Sequence, residues 1–413
     1  MSNICPICDN ESTQTICKTC GFEMPTFAFL SEEDAKKWYE DTVVPYREAW
    51  ENNKKKNSCT SCGKEVQENW KLCPFCGTSV EVKQNSSGIS SSPTTADIFV
   101  GWRLIRTFKG HRSKVTSVAF SPDGNYIVSG SSYTNPTLRL WKAGSKWPIR
   151  TFWEKVSRVV YSVAFSPDGK HIVLGGPQGP IELRETESGQ LVRIFEGRCN
   201  SSTYSVAFSP DGKYIVSGSG DNIYRAFSNL IALELPVALE LWEVESGRLV
   251  YTYEEGESAN SVAFSPDGKH IVSGWSDSTL KLWETESGQH VHTFKGHKGE
   301  VKSVAFSSDG KYMISGSFDK TLKLWETGSN RLVRTFKGHE SYVNSVAFSP
   351  CGSYIISGSR DNTLKLWETG SGQLVHTFEG HKDHVNSVAF SPDSKYIVSG
   401  SSDNTLKLWG LVK

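Results

Sequence analysis

The chain has 413 residues, 37% of them apolar, which is enough to bury a sizeable core and excludes a short disordered or disulfide-stapled peptide. Its 45 basic residues balance 45 acidic ones, so no global field draws it onto nucleic acid or an anionic membrane. The opening MSNICPICDN has neither the basic nor the apolar region of a secretory leader, and no stretch approaches the roughly 20 apolar residues of a membrane span. A soluble, cytoplasmic protein without a membrane partner is expected.

Eight of the ten cysteines precede residue 77 and form four C-x-x-C pairs: Cys5 with Cys8, Cys17 with Cys20, Cys59 with Cys62, and Cys73 with Cys76. In a reducing compartment that pattern points to metal rather than to disulfides. Two residues between paired thiolates let one turn present both sulfurs to a tetrahedral Zn(II), and two such knuckles close a four-sulfur site with no position open for chemistry. The expected cofactor is therefore structural zinc, two ions per chain. One is assigned to Cys5, Cys8, Cys17 and Cys20, the other to Cys59, Cys62, Cys73 and Cys76, although ligand exchange between the halves also satisfies the spacing. Residues 1–83 resemble a double zinc ribbon with an intervening helix at 31–56. Ser31 caps that helix ahead of Glu32, Glu33 and Asp34, and Trp38, Tyr39, Val43, Tyr46 and Trp50 form an aromatic stripe along it. The stripe either packs within the molecule or enters a partner's groove. Residues 1–90 carry 10 basic against 13 acidic side chains, and four thiolates around each Zn(II) add further negative charge. Phosphate would be repelled, so nucleic acid is not expected as a partner; a nucleic-acid-associated factor using the ribbons is the alternative reading. Residues 84–97, rich in Ser and Thr, read as a flexible tether.

Beyond the tether the sequence repeats. SVAF begins at Ser117, Ser162, Ser205, Ser261, Ser303, Ser345 and Ser387, at spacings of 45, 43, 56, 42, 42 and 42 residues. Each unit continues through a Ser-Pro-Asp-Gly-like turn, a KYIVSGS-like segment, a polar turn and a TLKLW-like segment. These short runs are rich in Val, Ile, Leu, Phe and Trp and are bounded by turn chemistry, which predicts β-strands and not helix. A fourth segment, such as Gln373–Phe378, completes the unit, and four strands per period match a propeller blade.

These motifs resemble the WD-repeat family. Gly-His stands at 110–111, 296–297, 338–339 and 380–381, and a strand-ending Trp at 141, 242, 283, 325, 367 and 409. The Trp-Asp dipeptide itself is replaced, mostly by Trp-Glu. The resemblance implies an all-β fold: a seven-bladed β-propeller over residues 98–413, following the small zinc-ribbon module and its connecting helix. Residues 103–108 form a strand of the fourth type before the first SVAF, and the chain stops after a strand of the third type. The two ends are expected to complete one blade together and leave no open sheet edge. Such a closed ring needs no second copy, so a monomer is expected outside any assembly.

A Ser, His and Asp combination invites a hydrolase reading, but it recurs: His297, Ser315, Asp319 with Trp325; His339, Ser357, Asp361 with Trp367; His381, Ser399, Asp403 with Trp409. One active site does not need three copies. The family resemblance implies a buried structural hydrogen-bond network at each set, and no catalytic residue is assigned. In the second unit Leu174, Gln178 and Arg184 stand where Ser, Asp and Trp are expected. Comparison among the units places near-constant turns on one face and variable loops on the other, which the resemblance identifies as the top, partner-binding face. There Trp275, Phe318, Tyr342, Arg360 and His384 are the single-residue departures. Tyr224 and Phe227 belong to an insertion at 223–238 that meets a partner, covers the channel mouth or the altered second blade, or docks against the aromatic helix at Trp38 and Trp50. Aromatic and Arg side chains are the usual interface anchors. The function expected is a non-enzymatic interaction scaffold or adaptor whose partner is a protein, with Cys199 and Cys351 as ordinary free thiols.

Overall fold

The computed structural model describes residues 101–412 except 133–137, 146–147, 152–158, 178–179, 198–201, 221–236 and 255–256. The zinc-ribbon cysteines, the 31–56 helix, the 84–97 tether, Gln178, Cys199, Tyr224 and Phe227 lie outside the described residues.

Seven four-stranded antiparallel sheets stand around a central channel. Blade six shows how sequence becomes structure. Val343–Phe348 runs beside the channel, Tyr354–Ser359 and Leu364–Glu368 follow outward, and Leu374–Phe378 forms the perimeter. The two middle strands are buried on both faces because a neighbouring blade covers each side, and so the YIISGS run is nearly continuous in its burial. Only the perimeter strand leaves apolar side chains such as Leu374 and Val375 in water. The cores lie between the blades. Ile356, Leu364, Leu366 and Phe378 of blade six meet Val385, Val388, Phe390, Ile397 and Trp409 of blade seven. Each such large side chain contributes roughly 1.5–3 kcal/mol when fully buried.

Closure joins the two ends of the ring. Gly101–Lys109 pairs antiparallel with Thr405–Val412, aligning Trp102 with Leu411 and Phe108 with Leu406, and it supplies the fourth strand of blade seven. The expected staggered clasp is present, and Lys407 Nζ reaches across it to Thr107 Oγ1 at 3.1 Å.

At the channel each innermost strand is a sheet edge with backbone donors pointing away from its own sheet. The serine of each SVAF satisfies the next blade. Ser117 Oγ accepts from Val163 N–H, Ser162 from Val206, Ser205 from Val262, Ser261 from Val304, Ser303 from Val346, Ser345 from Val388, and Ser387 from Val118, all at 3.0–3.1 Å. The last of these bonds joins residues 269 positions apart and shuts the circle.

Packing between blades is close enough to exclude a methyl group at the glycine of the second strand. A Cβ on Gly358 would lie 2.6 Å from Val385 Cγ1 and 2.9 Å from Val388 Cγ1. Both valines belong to the next blade's inner strand, whose serine ring holds them in place. Gly358→Ala is therefore expected to destabilise the propeller by about 1–3 kcal/mol through overpacking, read as a lowered urea midpoint at unchanged m-value.

Candidate functional site

The three repeated sets form three matching chains. In blade five, His297 Nδ1 lies 2.7 Å from Asp319 Oδ2 and its Nε2 2.7 Å from Ser315 Oγ, and Trp325 Nε1 donates to the same Oγ at 2.9 Å. Blades six and seven repeat this through His339, Asp361, Ser357 and Trp367, and through His381, Asp403, Ser399 and Trp409. The bonding pattern sets the tautomer: the carboxylate accepts from Nδ1–H, so Nε2 accepts from the serine. Burial alone would raise the Asp319 carboxyl, but hydrogen bonds from His297, Thr321 and Lys298 outweigh it and hold the group far below the usual carboxylate range. Asp361 and Asp403 are held low in the same way. Burial pushes His297 and His381 down, against the pull of their aspartates, so both rings are neutral at pH 7.

Ser315, Ser357 and Ser399 are wholly buried at the centres of these chains. No substrate carbonyl reaches a hydroxyl placed there. The geometry instead ties the loop entering each blade to its second and third strands.

Blades one to four depart from the pattern; blade three has Cys199 at the histidine position in its sequence and keeps the Trp242 to Ser217 bond at 3.2 Å. In blade one, His111 bonds Ser129 at 2.7 Å, and burial with the nearby Arg139 charge lowers its pKa to about 3. In blade two Arg184 occupies the register position of the tryptophan, opposite Ile172, and is buried. Its guanidinium is held by Glu182 at 2.6 Å and by the Gly189 carbonyl at 3.0 Å. In blade four Glu255 stands where blades one, five, six and seven carry His. Trp275, expected on the binding rim, is completely buried there. Its Nε1 donates to Ser273 Oγ at 2.7 Å alongside Trp283 Nε1 at 2.8 Å, so the indole substitutes for the missing imidazole. An apolar ring with one donor is stable inside when that donor is satisfied, which removes Trp275 from the partner surface.

Of the other described candidates, Arg360 and His384 line the channel mouth, and Phe318 and Tyr342 adjoin Arg360. Phe318 and Tyr342 stack with centroids 4.3 Å apart and planes 18° apart. Arg360 Cζ lies 5.2 Å from the Phe318 ring and 5.1 Å from the Tyr342 ring. The backbone fixes the group: Arg360 N–H donates to Tyr342 C=O and Phe318 N–H to Glu300 C=O, each at 2.9 Å. His384 lies at the channel mouth, half exposed, with Asp383 3.7 Å away.

The mouth encloses about 410 Å³. Its wall includes the residue preceding each SVAF: Thr116, Tyr161, Tyr204, Asn260, Lys302, Asn344 and Asn386. In six of the seven blades the inner ladder shifts register at that residue. Such a bulge re-aims a side chain, here into the mouth. Asn260, Asn344 and Asn386 use the position to donate to the next blade's Val301, Val385 and Val115 carbonyls at 2.8–3.1 Å, and Thr116 bonds that of Val160. Tyr161 and Tyr204 stack on each other instead, with centroids 5.8 Å apart. Lys302 passes 5.0 Å from the Phe318 ring and donates to Asn260 Oδ1 at 3.1 Å. Sequence comparison passed over this position, although a variable residue before a constant SVAF was a usable signal.

Residues 114–412 match the family model of the WDR3 second beta-propeller domain. The chain belongs to this WD-repeat propeller family. Such propellers generally serve as protein-interaction platforms and are generally not enzymes. Residues 58–80, which include Cys59, Cys62, Cys73 and Cys76, match a zinc-ribbon domain. WD repeat-containing protein 62 of Mus musculus is 33% identical over 75 residues, a stretch covering 15% of this chain and 5% of that protein. The chain thus matches only a small part of that WD-repeat relative's length.

The WD-repeat chains make stability fall with acid. Carboxyls held low bind no proton in the native state while the unfolded chain takes one up below about pH 4, and buried neutral histidines do likewise below about pH 6.5. Both contributions are complete at pH 7 and are lost as pH falls. Asp361→Ala leaves the His339 Nδ1–H buried without its acceptor and is expected to cost about 1–3 kcal/mol at pH 7. The penalty should shrink towards pH 3 in urea titrations, because the wild type loses there what the variant already lacks.

Proposed function

We propose that this chain is a non-enzymatic scaffold or adaptor that holds a protein partner on the top face of its propeller, with two structural zinc ions folding the N-terminal module. The observation carrying this reading is the stacked Phe318 and Tyr342 pair with Arg360 across it, in loops that are near copies elsewhere in the ring. Aromatic rings and a guanidinium held rigid before binding lose little entropy when a partner arrives. His384 shares the mouth; the insertion carrying Tyr224 and Phe227 lies outside the described residues and is counted with this face from its position in the sequence repeat alone. The burial of Ser315, Ser357 and Ser399 supports a role without catalysis for the repeated Ser, His and Asp sets.

Affinity purification of the full chain from its native source, with mass spectrometry, tests this directly. A Phe318→Ala, Tyr342→Ala double variant is expected to lose specific partners while its urea midpoint moves by no more than about 0.5 kcal/mol equivalent, as for surface changes generally. Retention of every partner would move the site elsewhere. Tight duplex binding that weakens steeply with salt would instead assign the ribbons a nucleic-acid role.

For the metal, elemental analysis of protein purified without chelator is expected to give two zinc ions per chain, on Cys5, Cys8, Cys17 and Cys20 and on Cys59, Cys62, Cys73 and Cys76. Comparable thiolate sites derive on the order of 10–16 kcal/mol of folding energy from the ion, so a strong chelator should open residues 1–83 to proteolysis. The melting of the propeller should be unchanged by the chelator.

A further inference from the structure

The mouth of the channel has an uneven chemistry. Among the described residues its wall carries Lys114, Lys302, Arg360 and His384 and no carboxylate. Two carboxylates pair with residues of this wall without lining it themselves: Glu300 approaches Lys302 at 3.4 Å, and Asp383 approaches His384. Lys302 and Arg360 converge on one aromatic platform, 5.0 and 5.2 Å from Phe318. Two cations on the same ring repel each other, and the single carboxylate of Glu300 offsets only one. Burial also pulls the Lys302 ammonium below its ordinary pKa in spite of Glu300, which marks a charge short of compensation. An anion above the platform supplies what is missing.

The rest of the wall selects the kind of anion. Asn344 donates an amide N–H to the Val385 carbonyl, and Asn386 donates to the Val115 carbonyl and to Ser402 Oγ, which leaves their side-chain carbonyl oxygens as acceptors at the mouth. A peptide backbone brings N–H donors to meet them, whereas a phosphodiester backbone brings acceptors alone. A cavity of about 410 Å³ admits a few side chains and excludes a duplex.

From this juxtaposition we propose that the channel mouth binds an acidic peptide segment of a partner, with an Asp or Glu carboxylate seated between Lys302 and Arg360 over Phe318 and Tyr342. The proposal rests on the partner-face reading above and gives it a chemistry. Arg360 is the specificity-determining residue, because its planar fork stands beside both rings, 5.2 and 5.1 Å from their centroids, and can meet both carboxylate oxygens, while Lys302 provides a point charge. Tyr161 and Tyr204 form a second stacked surface at the same mouth for the segment to cross.

Fluorescence anisotropy of the full chain with labelled glutamate, lysine and glycine-serine peptides of about ten residues tests the proposal, repeated at low and physiological salt. The glutamate peptide alone should bind, more weakly as salt rises. Lys302→Gln with Arg360→Gln should weaken it at least about tenfold at an unchanged urea midpoint, and Arg360→Lys should recover only part of the loss. Absence of binding, equal binding by the lysine peptide, or equal binding by the double variant overturns the proposal. Displacement of the glutamate peptide by a short DNA duplex, with the same dependence on Arg360, overturns it in favour of nucleic acid. If the glutamate peptide fails while the Phe318 and Tyr342 substitutions still strip partners in the purification, the face holds a partner and only its acidic chemistry falls. If neither responds, both readings fall.

Discussion

Seven serine hydroxyls, each accepting a backbone N–H from the following blade, hold the inner rim of this propeller together. An innermost strand is a sheet edge, and its unpaired donors would otherwise be left to water in a narrow channel or to another chain. The hydroxyl is short enough to bridge two blades only if their backbones approach closely. Closeness is what the second-strand glycines permit, with Val115, Val301, Val343 and Val385 seated directly on them. Hydrogen bonding and packing at the rim therefore require each other.

With the rim held, the residue one step above each serine is free to vary. The bulge points that side chain into the mouth, where it either bonds the next blade, as Asn344 does, or joins the surface, as Lys302 and Tyr204 do. Repetition supplies the frame, and single departures from it supply the chemistry. Phe318, Tyr342 and Arg360 come from three different loops of blades five and six and meet only because those blades stand side by side.

The same frame tolerates altered blades provided buried polar groups stay satisfied. Blade four replaces an imidazole with an indole at the same serine, and blade two replaces an indole with a guanidinium paired to Glu182 and Gly189. These are different chemical answers to one constraint, that a donor or charge taken out of water must find a partner. Neither exchange creates a site.

Period, strand type, blade count and closure were legible in the chain because they rest on local signals: short apolar runs, Ser-Pro-Asp-Gly turns and a spare strand at the start of the repeats. The hydrogen-bond sets in blades five to seven were also legible, since each lies within one repeat and recurs at constant spacing. Trp275 was misplaced because its position is the last of the second strand, where Ser317, Ser359 and Ser401 of the sibling blades are also buried, and not part of the exposed loop that follows. Lys302 was passed over because a one-residue bulge, invisible in a strand pattern, decides which way it points. Sequence by itself determined the repeat and the residues each blade has to use. Only the tertiary structure decided which of them face the channel mouth together, because that depends on contacts between blades whose partners are far apart in the chain.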